Sequence, residues 1–224
     1  MTLPEHIATW RKAERSRLLA LRSDIEPTQH RRWSDAITDS LLRGFPMLAS
    51  MGVSFYWPFK AEFDPRFTIR TWRMQGARVA LPVVLEKKAP LQFRQWWPGV
   101  KTSAGVYDLP VPEGTAIVVP DAALVPPIGF DAQACRLGYG GGYFDRTLAS
   151  LSPQPLKIGV AFELSRMATI RPQPHDIPMD FIVTEAGIHQ LRGLALQRVA
   201  DVGDVHDRVR AIMRERGLPR TGPT

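Results

Sequence analysis

A chain of 224 residues with 44% hydrophobic and 23% charged side chains is long enough to bury a core of its own without staples. Its single cysteine, Cys135, excludes an internal disulfide framework and a thiolate-rich metal site, and no window approaches the apolar run of a membrane span. The formal net charge of +7 invites polyanions, but the basic residues are scattered with no run of five or more, which favours small phosphate- or carboxylate-bearing ligands over nucleic acid.

The N-terminal segment lacks the apolar core and small-residue cleavage site of a signal peptide, so a cytoplasmic location without a membrane partner is expected. From Pro4 to Asp24, the residues Ile7, Trp10, Leu18, Leu21 and Ile25 recur at three- and four-residue steps among many arginines, which predicts an amphipathic helix. A second helix is expected after Glu26-Pro27-Thr28, with Thr28 as its cap, running through Trp33, Ile37, Leu41 and Leu42 to Gly44. The period then changes. Short β-branched or aromatic runs bounded by Gly and Pro predict strands at Met51–Trp57, Ala77–Pro82, Leu91–Trp96, Thr115–Pro120, Lys157–Phe162 and Asp180–Glu185. Several are apolar without alternation, the mark of strands covered on both faces.

Helical segments fit between them at Pro65–Gln75 and Gly142–Leu151. Strands alternating with helices point to an α/β layer architecture, a largely parallel sheet with flanking helices. The tail after Ile188 reads as helix, with Asp204 as a cap, ending in Leu-Pro-Arg-Thr-Gly-Pro-Thr. One α/β domain over residues 1–190, followed by a helical extension and tail over 191–224, is the expected organisation.

One stretch stands out chemically. Residues 135–148, CRLGYGGGYFDRTL, place four glycines in five positions immediately before a predicted helix. Bare backbone N–H groups leading into a helix N-terminus make a concavity suited to phosphate. No Gly-Lys-Ser/Thr closes the stretch, so it is not a P-loop, and Tyr143 stands where the third glycine of a dinucleotide fingerprint would be. A plain tight turn remains the competing reading.

With its flanks, VPPIGFD…RLGYGGGYFDR resembles the signature of the 5-formyltetrahydrofolate cyclo-ligases, also called methenyltetrahydrofolate synthetases. PHDIPMDFIVTEAGI downstream and WPFKAEFD upstream are similar to further segments of that family, so the likeness covers roughly residues 11–188. The resemblance implies a fold related to sugar-phosphate isomerases and CoA-transferases. It also implies an ATP- and Mg2+-dependent reaction that closes 5-formyltetrahydrofolate to 5,10-methenyltetrahydrofolate with release of ADP and phosphate. The formyl oxygen, a poor leaving group, would first be phosphorylated; catalysis would then rest on positioning and charge stabilisation.

Carried over residue by residue, the resemblance assigns Arg11, Lys12 and Arg15 of the first helix to ATP phosphates, with Arg11 and Arg15 on one face at i and i+4. Arg136, Leu137, Gly138, Tyr139, Gly140, Gly141, Gly142, Tyr143 and Phe144 would form the ATP loop, Arg136, Tyr143 and Asp145 the catalytic set, and Asp145 and Asp180 the Mg2+ carboxylates, with Asp176 nearby. Glu62, with Tyr56 and Trp57, would bind the folate, and Phe93, Trp96 and Trp97 would add to that pocket. Tyr139 departs from relatives that carry Arg there, and the loop has no lysine, which removes a cation. Reduced folate, monoglutamylated or polyglutamylated, and ATP are the expected partners of a monomer or weak dimer. Two other readings stay open at this point: a nucleotide or sugar-phosphate enzyme of the same fold with a non-folate substrate, and a basic nucleic-acid-binding module.

Overall fold

The computed structural model describes residues 3–219. Its helices are α1 (Leu3–Ser23), α2 (Pro27–Gly44), α3 (Arg66–Met74), α4 (Tyr143–Ser150) and α5 (Val202–Arg216). The early strands are β1 (Gly52–Ser54), β2 (Arg78–Val83), β3 (Gln92–Gln95), β4 (Thr102–Ala104), β5 (Pro110–Pro112) and β6 (Ala122–Val125). The later ones are β7 (Gly129–Phe130), β8 (Arg136–Leu137), β9 (Leu156–Val160), β10 (Phe181–Thr184), β11 (Gly187–Arg192) and β12 (Ala195–Arg198).

Eight strands form the main sheet in the order β12-β11-β10-β9-β6-β1-β2-β3. The five central strands, β10 to β2, run parallel, and β3, β11 and β12 are antiparallel at the two edges. β6, β9 and β10 are buried along their whole length. Alternate residues serve two different cores: Leu124, Ile158 and Val183 pack towards Ile37 and Leu41 of α2, Trp72 of α3 and Val209 of α5, whereas Val125 and Ile182 pack with Leu148 of α4. The expected layered α/β architecture is therefore present, with helices on both faces of the sheet. Each fully buried aliphatic side chain of this kind contributes roughly 1.5–3 kcal/mol, enough for α2 to hold its place although its N-terminus has no side-chain cap.

Three local expectations are corrected. Thr28 lies inside α2, which begins at Pro27 directly after Glu26. Thr115–Pro120 is not a sheet strand: it hangs on the β3 edge through a single bridge between Arg94 and Ile117, with Ile117 and Val119 exposed. Pro120 cannot donate to a ladder, and the chain enters the sheet only after it, at the alanine-rich β6. The tail after Ile188 is not helical throughout. β11 and β12 form a hairpin that widens the sheet, and α5 starts from Asp201, which caps Gly203 N–H at 2.5 Å, rather than from Asp204. Gly217, in the left-handed region, ends α5. Residues 220–224 of the expected tail lie outside the described residues.

β1 leads to β2 on one side, whereas β6, β9 and β10 lie on the other. The gap beyond the C-terminal ends of β1 and β6 is thus a topological switch point, where open parallel sheets bind ligands.

Candidate active site

A cavity of about 180 Å3 opens at that switch point. Tyr56 and Trp57 reach it from the end of β1, Pro82 and Val84 from β2, and Pro126 from β6. On the other side stand Arg136, Gly138, Tyr139, Gly141, Gly142, Tyr143, Phe144 and Asp145. The structure therefore brings together two groups of predicted residues that lie about eighty positions apart in the chain. Leu91 and the β4–β5 hairpin, through Tyr107, close a further wall.

The glycine loop is shaped by backbone conformations that side chains resist. Gly140 has φ +97° and Gly142, the residue before α4, has φ +63°. A Cβ at Gly141 would meet the Tyr143 ring at 2.7 Å. The loop is then tied down from outside: Arg146 donates to the Gly141 carbonyl at 2.6 Å, and Arg15 Nε donates to the Gly138 carbonyl at 2.6 Å. Arg15 is thus the α1 cation at the loop. Burial, then the neighbouring Arg11 charge, lowers its pKa.

Arg11 is differently employed. Its guanidinium pairs with Asp176 at 2.5 Å and also donates to the carbonyls of Ile170 and Arg171, so it clamps the 170–176 loop and has little left for a phosphate. Lys12 is exposed on α1 away from the cavity wall. Leu137 packs with Leu18, Ile128, Cys135 and Ile170 in a small core beneath the loop. These placements engage Arg11 and Leu137 in structural contacts and leave Lys12 exposed.

Arg136 is almost fully buried and pairs with Asp145 at 2.9 Å while donating to the Ile177 carbonyl. Burial depresses its pKa, and the Asp145 charge opposes that. Asp145 Oδ1 also accepts the Ile177 N–H, leaving Oδ2 without a protein partner among the described residues. One open carboxylate oxygen beside a phosphate cradle fits Mg2+, which takes few protein ligands and completes its octahedron with phosphate and water. No group of three potential ligands occurs among the described residues. Asp180 does not join Asp145: its carboxylate accepts both terminal nitrogens of Arg216 at 2.9 and 2.7 Å and the Lys157 N–H at 2.8 Å, with Lys157 Nζ at 3.4 Å. Two cations and a backbone donor already neutralise it, so the metal expectation for Asp180 gives way to a structural role.

At the opposite wall, Glu62 is buried and accepts from the Phe59 N–H at 3.0 Å and the Tyr139 hydroxyl at 2.7 Å, with Arg22 Nη2 at 3.6 Å. Burial pushes its pKa up to about 7, against the pull of Arg22, Tyr139 and the Phe59 N–H. The Tyr56 hydroxyl donates to the Phe63 carbonyl and Arg66 lies 4.4 Å over the Trp57 ring, so both aromatics are braced. Phe59 stacks on Tyr107 with centroids 5.9 Å apart. Phe93, Trp96 and Trp97 do not line the cavity; Trp96 packs edge-on against Phe55 and Trp57 from behind.

Sequence reasoning missed Arg22, Phe59 and Tyr107. For Arg22 a signal existed: Arg11, Arg15, Leu18 and Arg22 lie at steps of four, three and four, a single helix stripe, and a stripe that includes a buried leucine faces the protein. Tyr107 carries no such signal, because a turn with φ +60° brings it to the cavity.

Comparison with known proteins bears on the family and the fold. A profile of the 5-formyltetrahydrofolate cyclo-ligase family matches residues 7–185. The 5-formyltetrahydrofolate cyclo-ligase of Mycolicibacterium smegmatis is 35% identical over 149 residues, covering 62% of this chain and 77% of that protein. The solved 5,10-methenyltetrahydrofolate synthetase of Aquifex aeolicus superposes with a TM-score of 0.71 at 26% identity, over 85% of this chain and 96% of its own. That of Mycoplasma pneumoniae shares the fold, with a TM-score of 0.64 at 22% identity over 78% and 98% of the two chains. With a family profile spanning most of its length, a matching fold and a phosphate-type loop facing an aromatic-and-carboxylate wall, the chain belongs to the 5-formyltetrahydrofolate cyclo-ligase family of enzymes.

Proposed function

We propose that this protein uses ATP and Mg2+ to cyclise 5-formyltetrahydrofolate to 5,10-methenyltetrahydrofolate through a phosphorylated formyl oxygen. The observation that carries the reading is the single cavity shared by the glycine loop with Arg136 and Asp145 on one side and Glu62 with Tyr56 and Trp57 on the other. A transfer from nucleotide to folate needs both ligands in one dry space.

Glu62, when ionised, presents two oxygens to the paired N–H donors of a pterin ring, and Trp57 and Tyr56 offer ring faces and edges beside it. The glycine loop offers backbone N–H groups, and Arg15 at Gly138 adds a cation on the α1 side. Arg136, fixed by Asp145 and the Ile177 carbonyl, holds positive charge at the start of α4, where negative charge develops on the transferred group. Asp145 Oδ2 would hold Mg2+, which when bound neutralises nucleotide phosphates. The γ-phosphoryl passes to the formyl oxygen as ADP leaves; N10 then attacks the activated formyl carbon, and inorganic phosphate departs with the N10 proton as the ring closes. The chain's part is orientation and exclusion of water, with no covalent enzyme intermediate.

The methenyl-folate absorbance band tests this directly. It is expected to rise when protein, 5-formyltetrahydrofolate, ATP and Mg2+ are all present and not when any one is omitted. Asp145→Ala is expected to lose turnover by about 100-fold or more while unfolding as cooperatively as the parent. No rise from protein that binds ATP would favour a nucleotide enzyme with another substrate.

A further inference from the structure

Tyr139 has no role in the reaction described so far: in the sequence it registers as one of the loop residues and as a missing cation. It stands between Gly138 and Gly140, and its side chain leaves the glycine loop altogether. The hydroxyl donates to Glu62 Oε1 at 2.7 Å and accepts from Arg22 Nη2 at 2.9 Å. Arg22 is itself buried and held by the carbonyls of Phe59 and Lys60, so the phenol meets a rigid partner. Arg15, seven residues earlier in α1, holds the Gly138 carbonyl, and its guanidinium carbon lies 3.5 Å from where a Gly140 Cβ would be. The loop is therefore hydrogen-bonded to α1 at Gly138 through Arg15 and at Tyr139 through Arg22, and among the described residues the Tyr139 hydroxyl and its flanking ring contact with Phe59 join it to the folate wall.

We propose that Tyr139 is a positioning residue that couples the two halves of the cavity, so that a ligand held by Glu62 tightens nucleotide binding at the glycine loop, and the nucleotide tightens the ligand at Glu62. The inference rests on the folate-and-ATP reading above. Its physical chain is short. A ligand donor arriving at Glu62 fixes the carboxylate in one orientation, the short hydrogen bond fixes the phenol with it, and the phenol fixes the backbone of residues 138–140. Arg15 and Arg146 hold the Gly138 and Gly141 carbonyls, and the phenol is the loop's hydrogen-bonded link to Glu62.

Titration calorimetry separates this from a space-filling role. The Kd of the Mg2+ complex of a non-hydrolysable ATP analogue is measured with and without saturating 5-methyltetrahydrofolate, which has no formyl oxygen to phosphorylate. In the parent protein the folate is expected to tighten the analogue about fivefold or more, and the analogue to tighten the folate by the same factor, as linkage requires. In Tyr139→Phe, which keeps the ring and loses the hydroxyl, that factor is expected to fall to within about twofold of unity while the thermal unfolding midpoint stays near the parent's. Tyr139→Met provides a second hydroxyl-free side chain if the Phe variant folds poorly. A parent protein without coupling, or a folded variant of either kind that keeps the parent's factor, overturns the proposal. Turnover by the parent tells the two failures apart: a parent that makes methenyl-folate while Tyr139→Phe retains full coupling sinks only the coupling role, and a parent with no turnover sinks the folate reading and the coupling with it.

Discussion

Glu62 shows how far one side chain's environment governs its chemistry. The carboxyl sits where burial favours the neutral form, and its partners recover only part of the lost solvation. An acid whose pKa rises on folding from 4.5 to about 7 binds its proton more tightly in the folded chain than in the unfolded one. Its contribution to stability is therefore greatest below about 4.5, declines as pH rises to about 7 and is level above that. Glu62→Gln removes this titration. The stability of the parent relative to the variant is expected to fall by up to roughly 3 kcal/mol across that window, read from urea unfolding of both proteins at a series of pH values. A constant difference would mean that folding leaves the Glu62 pKa unchanged. The same residue was legible in the sequence through its resemblance to a folate-contacting glutamate, but its pairing with Arg22, forty places away, and with Tyr139 was not, because only folding brings them to its oxygens.

At the scale of the element, the glycine loop and α4 divide their labour between strain and access. Gly142 is in the left-handed region, and a Cβ there would also press on Arg146 at 3.2 Å. Gly142→Ala is expected to cost about 1–2 kcal/mol of stability, since the backbone rather than the flexible arginine resists it. Gly138 is different: a Cβ there meets no protein atom within 4 Å, and its φ is ordinary. Gly138→Ala is expected to unfold at the parent's temperature, so a loss of nucleotide affinity in that variant would reflect a clash with bound nucleotide. Thermal unfolding and nucleotide titration of the pair check both statements. The cluster of glycines before a helix was visible in the sequence; which of them are conformationally required was not, since φ at 140 and 142 is set by how the loop meets Arg15 and α4.

At the scale of the whole molecule, the C-terminal segment completes the sheet and locks it. Arg216 at the end of α5 reaches Asp180 and the Pro155 carbonyl, joining the last helix to the starts of β9 and β10. Arg216→Ala leaves Asp180 paired with Lys157 alone and is expected to cost about 2 kcal/mol, whereas Arg210→Ala, whose pair with Asp207 is exposed, is expected to cost less than about 0.5 kcal/mol. Urea denaturation of the two variants makes the comparison. Asp180→Asn is expected to lose stability yet keep the parent's Mg2+ dependence, in contrast to Asp145 variants; a shifted Mg2+ requirement would return Asp180 to the metal site.

What the amino-acid sequence determined by itself was the layered α/β class, the helices with a clear apolar stripe, the glycine-rich loop before α4 and, through resemblance, the family. These are properties of local pattern: periodicity, glycine spacing and motif order need no distant partner to be read. The tertiary structure alone decided which carboxylates and cations remain available. Asp145 keeps an open oxygen and Asp180 does not, Arg15 reaches the loop and Arg11 is spent on Asp176, and Tyr139 turns to Glu62. A charged side chain's role depends on which opposite charge folding places within a few ångströms of it, and that pairing is a property of the packed chain.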